Sequence, residues 1–444
     1  MKIGLLAVGF PNFRYDYAQK NLDISIKKLI SRGISLFGCE KVLIEESMIF
    51  DEIERLKSEQ VDVMIIQCGT YSFGSVIYKI IDEMKEKPLI LWGFTEPRIE
   101  GFRGLPLNSL CAVNMYSSFL KRLEKPFKYF YGAIDDEKMY NNITDYLKAH
   151  QLKLKLKGTK FCVIGGRVPG FYLSSVDELL FKREIGVEIV YYSLAELIYD
   201  MEKTSDEDVK LEVENIKRVS KVIENLDKYL KDTASMITAI KKYKVENKID
   251  GFALKCWPDI QTVKKMSACG VVSFLNNDNI MVSCEGDITS LLTQFIQQQI
   301  TNEPCFLADL VNYNENGSFK TWHCGPAPAR IARDPEDVKI TMHSTMKEYG
   351  VAMEFGLPIS EVTVIKISEL NQKYRMLIMS GNSVQEDRDM SANQSDILFN
   401  ASKDVVLDTI LNKGFEHHFC IVYKDIKKEL LQFCDVMNIE TIVI

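Results

Sequence analysis

Hydrophobic and polar positions along the first third of the chain alternate between two rhythms. Ile3–Val8 is a continuous apolar run, the pattern of a strand buried on both faces. Residues 17–32 then carry Leu22, Ile24, Ile26, Leu29 and Ile30 at largely helical spacing. Residues 61–67 and 88–92 are short apolar strand patterns, separated by a helical pattern over 75–85. Strands alternating with helices imply a doubly wound parallel sheet over residues 1–155. Ligands of such sheets bind at the carboxyl ends of the strands, which puts Gln67 and Trp92 at a candidate cleft.

The lysine-rich segment 153–160 reads as a solvated linker between two apolar segments. Beyond it, strand patterns recur at Lys160–Ile164, 186–192, 250–255, 271–275 and 280–284. A long helical pattern covers 206–245, with a break expected near Asp232 and Thr233, and another helix is expected over 288–299. These predict a second doubly wound domain over 156–325. After Pro326 the runs 340–355, 361–367 and 374–380 follow one another without a helix between them. That order predicts an antiparallel β-rich, barrel-like domain over 326–444. Helices at 404–411 and 424–438 and a strand at 440–444 close it. The fold class is therefore α/β: two doubly wound α/β domains, then a C-terminal antiparallel β-rich domain.

Length and composition narrow the function classes. A chain of 444 residues has room for two to four domains. Its 46% apolar and 26% charged content is that of a soluble globular protein. A net charge of −7 without a basic face excludes a nucleic-acid footprint. No run approaches the roughly 18 apolar residues of a membrane span. The apolar N-terminus is too short for a signal peptide and is cut off at Pro11. Eleven cysteines with no CxxC pair read as free thiols in a reducing cytoplasm. The loop 165–170 is glycine-rich but lacks GxGxxG spacing and contains Pro169, so a dinucleotide site is not expected.

Three segments carry candidate chemistry: Cys284-Glu285-Gly286-Asp287, Ala308-Asp309 and Glu416-His417-His418. Two carboxylates with an imidazole suit a divalent ion such as Mn²⁺ better than a thiophilic one. A carboxylate pair also suits proton transfer, one acting as base and the other as acid. With no nucleotide motif, the combination points to a polyol or sugar. Plainer readings stand beside this. Asp287 fits a helix N-cap, and Asp309 fits an ordinary strand end. His150 and His343 lack acidic company and read as structural or surface residues. Cys284, Cys324 and Cys420 read as small apolar fillers, and a Cys–His hydrolase finds no supporting signature.

The C-terminal stretch Gly414-Phe415-Glu416-His417-His418, with 431–440 after it, resembles the end of bacterial L-arabinose isomerases. Cys284-Glu285-Gly286-Asp287 is similar to their Gly-Glu-Gly-Asp segment. The step of 24 residues to Phe306-Leu307-Ala308-Asp309 resembles the L-fucose isomerases. The resemblance implies a Mn²⁺-dependent aldose–ketose isomerase. Glu285, Asp309 and His418 would be metal ligands and His323 a fourth ligand or a substrate contact. His417 would contact substrate or assist proton transfer. It also implies a homo-oligomer in which residues around Gln67 and Trp92 reach a neighbouring subunit's pocket. Lys255 and Trp257, at a strand end, would line the pocket, and Lys255 is either an anion anchor or a solvated lysine. Asp309 stands where arabinose isomerases have Glu, and the chain is shorter than either family, so the sugar is open among a pentose, a 6-deoxyhexose and a 6-substituted hexose. The expected reaction runs through a cis-enediol, with one of Glu285 and Asp309 removing the C2 proton. The competing readings are a metal-dependent aldolase or hydrolase on a sugar acid and a non-catalytic cytoplasmic sugar-binding protein.

Overall fold

A computed structural model describes residues 1–38, 40–84, 86–222, 226–346, 348–385 and 389–444. The expected elements over 75–85, 206–245 and 340–355 run onto Lys85, 223–225 and Lys347, and those parts lie outside the described residues. The chain divides into two compact units, Met1–Gln151 and Leu152–Ile444.

The first unit holds five parallel strands: β1 (Ile3–Val8), β2 (Leu36–Gly38), β3 (Val63–Cys68), β4 (Leu89–Phe94) and β5 (Phe127–Gly132). Their order is β2-β1-β3-β4-β5, that of a doubly wound sheet. β1, β3 and β4 are buried along their whole length, which explains their unbroken apolar sequence. The short strand β2 and the helix Glu46–Ser58 escaped the sequence reading. Gln67 and Trp92 are in register on β3 and β4, and both side chains are fully buried. Trp92 packs against Phe94 and Tyr140, with ring centroids 5.3 and 5.5 Å away. Both side chains are packed among core residues, where the Gln67 amide and the Trp92 indole nitrogen find no hydrogen-bond partner among the described residues.

The second unit opens with a four-stranded parallel sheet: β6 (Lys160–Ile164), β7 (Glu188–Tyr192), β9 (Gly251–Leu254) and β10 (Met281–Ser283), in the order β10-β9-β6-β7. A larger mixed sheet follows, made of β11 (Phe306–Tyr313), β12 (Phe319–His323), β15 (Glu361–Leu370), β16 (Lys373–Val384), β17 (Asn393–Phe399), β18 (His418–Val422) and β19 (Glu440–Val443). All its named pairings are antiparallel except β19, which lies parallel to β16. A small third sheet joins β8 (Lys221–Val222), β13 (Lys339–Met342) and β14 (Gly350–Glu354).

Several local expectations change. The segment expected as a linker is the last part of the helix Glu137–Gly158, with Leu152 and Leu156 buried beneath its lysines. Residues 271–275 lie in a helix, Cys269–Asn277, rather than a strand. Its first eight residues are buried, and a helix surrounded by core shows no polar stripe. The break in the long helical stretch falls between Asp206–Val219 and Asp227–Asn247, not at Asp232. The ten described cysteines are free, and no helix among the described residues is long and apolar enough to cross a membrane.

Candidate active site

β10 ends at Ser283, and the chain then makes one tight turn, Cys284–Gly286. Glu285 sits in that turn at φ 62°, a left-handed conformation that a non-glycine residue enters at a cost. Gly286 follows at φ 68°, and a Cβ there would collide with the Gly166 carbonyl oxygen, so the close approach of the loop after β6 demands glycine. The turn sends Glu285 away from its strand. The Trp257 indole N–H donates to its Oε1 at 3.0 Å, which leaves Oε2 as the oxygen that faces the histidines.

Asp287 caps the helix Ile288–Thr301 by accepting the Ser290 backbone N–H at 2.9 Å, as the sequence suggested. It does more than cap. Its Oδ2 lies 2.9 Å from His418 Nδ1 and 3.6 Å from the ammonium of Lys366, which is buried on β15. Asp309 on β11 and His418 on β18 are direct cross-strand partners, so their side chains share one face of the mixed sheet. The parallel sheet thus delivers Glu285, the mixed sheet delivers Asp309 and His418, and all three meet. His418 Nε2 is 3.2 Å from Glu285 Oε2 and 3.9 Å from Asp309 Oδ1. His417 Nε2 is 3.5 Å from the same Glu285 oxygen, and the His323 ring stacks beside His418 with centroids 5.6 Å apart.

These atoms fit a divalent cation. The Asp287 carboxylate accepts a hydrogen bond from His418 Nδ1–H, so the neutral ring carries its lone pair on Nε2, as a metal-ligating histidine oriented by a carboxylate does. Asp309 Oδ1, His323 Nε2 and His418 Nε2 are buried and make no oriented hydrogen bond with the protein. Such atoms are costly unless something satisfies them. Glu285, His417 and His418 also form one of two groups among the described residues whose donor atoms lie close enough to share an ion.

Charge is distributed to match. Burial works against ionising Glu285, but the His417 and His418 rings beside its Oε2 prevail and hold it below the usual carboxylate range. Burial likewise opposes the charge on Asp287, and Lys366 and His418 overcome it. Burial would lower the His418 pKa, yet Asp287 and Glu285 push it up to about 10. A ring raised on folding stabilises the fold fully below its unfolded value near 6.5, and that contribution is lost as pH climbs toward about 10. The two depressed acids act in the other direction: their contribution is present above the ordinary carboxylate range and disappears in acid. Melting curves recorded in chelator should therefore fall across the interval from about 6.5 to 10. Affinity for a divalent cation should rise across the same interval, because binding expels the ring proton. A pH-independent affinity would contradict this assignment.

Two cavities flank the acids. One of about 320 Å³ is lined by Trp257, Glu285, Asp309, Trp322 and His323, and by a group of cysteines. The other, about 420 Å³, is lined by Phe171, Tyr172, Asp287, Glu416 and His417. The Phe171 ring lies 5.7 Å from Trp257 and 5.4 Å from His417, edge to face with each. Of the expected site residues, Glu285, Asp309, Trp257, His323, His417 and His418 come together. Lys255 does not line either cavity, and its ammonium is paired with Asp259. The sequence reading missed the second role of Asp287 and the part of Phe171. An acid two positions past a strand-end acid was a readable signal for Asp287, but the buried Lys366 opposite it was not.

Residues 321–444 match the family model of the L-fucose isomerase C-terminal domain. The sulfoquinovose isomerase of Priestia megaterium (strain ATCC 12872 / QMB1551) is 26% identical over 98% of this chain and 97% of its own length. That of Clostridium sp. (strain MSTE9) is 26% identical over 99% of this chain and 98% of its own. A periplasmic solute-binding protein from Actinobacillus succinogenes 130z with bound D-allose is 14% identical over 68% of this chain and 92% of its own, at a TM-score of 0.17, too low to carry an argument. The match over residues 321–444 and the near-full-length similarity to sulfoquinovose isomerases support a divergent L-fucose/L-arabinose isomerase-like member.

Proposed function

We propose that this aldose–ketose isomerase acts on a 6-deoxy-6-sulfohexose of the sulfoquinovose type, with Mn²⁺ held by Glu285, Asp309 and His418. The observation that carries the reading is the meeting of Glu285 Oε2, Asp309 Oδ1 and His418 Nε2, in a chain aligned end to end with sulfoquinovose isomerases. When bound, the cation would supply Lewis-acid stabilisation of the negative charge that builds on the sugar oxygens.

The protein's own groups do the rest. Glu285 is clamped by Trp257 on one oxygen and by histidines near the other, so it stays ionised and fixed. Asp309 Oδ1 has no hydrogen-bond partner, which makes Asp309 the freer carboxylate to take the C2 proton and return one at C1 through a cis-enediol. His417, half exposed beside Phe171, moves a proton between the O1 and O2 oxygens. His323 holds a substrate hydroxyl with its unpartnered Nε2. Phe171 and Trp257 exclude water from the sugar face. For the sulfonate, Arg167 is a better anchor than Lys255. Its guanidinium lies over the Tyr172 ring at 4.7 Å and pairs with no acid among the described residues.

The test is incubation of the purified chain with Mn²⁺ and sulfoquinovose in D₂O, beside L-fucose, L-arabinose and glucose 6-phosphate. The reading expects the sulfonated ketose with deuterium at the former carbonyl carbon, and faster turnover than with the unsulfonated sugars. A preference for an uncharged sugar would remove the substrate assignment. Carbon–carbon cleavage, or no ketose from any of the four, would remove the isomerase reading.

A further inference from the structure

We propose that Cys269 and Cys324 form a dithiol in the wall of the catalytic cavity, which hydrogen peroxide closes to a disulfide and thereby silences the site. The two sulfurs lie 3.4 Å apart although the residues are 55 positions apart in sequence. Cys269 is the first residue of the helix Cys269–Asn277, and Cys324 follows the end of β12. Both line the cavity that holds Glu285 and Asp309, so a small polar oxidant that enters with substrate meets them.

The third member of the cluster decides what the thiols are for. A ring nitrogen of His343 lies within 4.8 Å of both sulfurs, a grouping that would also fit a thiophilic metal. Its Nδ1, however, faces the backbone N–H groups of Thr345 and Met346 at 3.3 and 3.2 Å and must accept from them. The proton of the neutral ring then sits on Nε2, where a metal would need a lone pair. That tautomer offers the sulfurs a donor rather than a ligand, which favours thiolate chemistry over metal binding. Cys269 opens the helix Cys269–Asn277 and has the His343 ring within reach, and a helix N-terminus and an imidazole donor both favour its thiolate. Cys269 is accordingly the attacking sulfur.

The reaction balances with peroxide alone. The Cys269 sulfur attacks one peroxide oxygen, the O–O bond breaks, and hydroxide leaves and takes a thiol proton to become water. Cys269 is then a sulfenic acid. The Cys324 sulfur displaces its hydroxyl group, the S–O bond breaks, an S–S bond forms, and the second thiol proton leaves in a second water. Two electrons pass from the sulfurs to peroxide. Closing the gap from 3.4 Å to a bond of about 2.05 Å must draw the two sulfurs together, and Cys324 is the one tied to a site residue. Its backbone N–H is bonded to His323 Nδ1 at 2.8 Å, and its sulfur lies 3.2 Å from the same nitrogen. In the proposed closure His323 is displaced along with Cys324. The loss of turnover rests on the proposed isomerase function, but formation of the bond does not.

The full chain is treated with hydrogen peroxide, alkylated, digested and mapped by mass spectrometry, with turnover of the sulfonated hexose followed in parallel. The proposal expects a Cys269–Cys324 cross-linked peptide, two fewer alkylatable thiols and a fall in turnover of roughly tenfold or more, since displacements of about 1 Å near the chemistry cost this much. Dithiothreitol should reverse all three. In Cys324→Ser the cross-link should be replaced by a dimedone adduct on Cys269. No cross-link between these two residues, or a cross-link with unchanged turnover, overturns the proposal. Absence of turnover before oxidation would count against the isomerase reading and not against the pair, which the peptide tests alone.

Discussion

Replacing Glu285 by glutamine should lower kcat by roughly 10²–10³-fold while the fold persists, the range expected when a group that supports stabilisation of developing charge is neutralised. The amide keeps an oxygen for the Trp257 N–H and nearly the same volume, so packing around the turn should survive. It loses the negative charge that faces His417 and His418, and with it a donor for the cation. The strained φ of Glu285 supports the choice of position: the chain bears a left-handed residue there although glycine, which would relieve the strain, stands next to it. Far-ultraviolet dichroism and a melting curve close to wild type, combined with the kinetic loss, would separate a chemical role from a structural one. Turnover within a few-fold of wild type would remove Glu285 from the mechanism.

Asp287→Ala should behave differently, with stability falling by about 3–5 kcal/mol, the usual result of removing one partner from a buried charged cluster. Loss of a helix cap alone would cost about 1 kcal/mol. The larger figure follows from what alanine leaves behind. Lys366, 1% exposed, would keep Glu416, at 3.8 Å, as its acidic partner beside the Thr289 and Ser290 hydroxyls, and the buried His418 ring would lose its Nδ1 partner. Asp287→Asn restores a capping oxygen but not the charge. It should fold better than the alanine variant and still bind the cation roughly 10–100-fold more weakly, as losing the group that orients a ligand does. Denaturant midpoints and ion titrations on both variants measure the two effects separately. A loss near 1 kcal/mol in Asp287→Ala would reduce the residue to a cap.

The parts of this protein that were readable from sequence are those fixed by local pattern. β1, β3, β4, β6 and β10 were visible because buried parallel strands are short unbroken apolar runs. Glu285 was visible because it ends one such run, and His418 because a paired histidine is rare in a chain with five histidines. What stayed hidden depends on distant neighbours. The helix Cys269–Asn277 is wrapped in core, so its sequence lacks the polar face that identifies a helix. The lysines before Lys160 belong to a helix because Leu152 and Leu156 have a core to enter. Gln67 and Trp92 stand near strand ends, as cleft residues do, but both side chains are packed inward. Lys255 and Asp259 form an ion pair whose importance for an anchoring role shows only once the strand end and the helix after it are placed. The same holds for the acid, histidine and lysine around Asp287, which come from three segments more than 50 residues apart.

The central claim is that one cation is shared by Glu285, Asp309 and His418, and a Mn²⁺ titration of the full chain followed by electron paramagnetic resonance of the free ion tests it most directly. The account expects one ion per chain, bound at least roughly tenfold more weakly after His418→Ala or Asp309→Ala, and bound as in wild type after His343→Ala, whose ring serves the thiol pair. Undiminished binding in both His418→Ala and Asp309→Ala would contradict it.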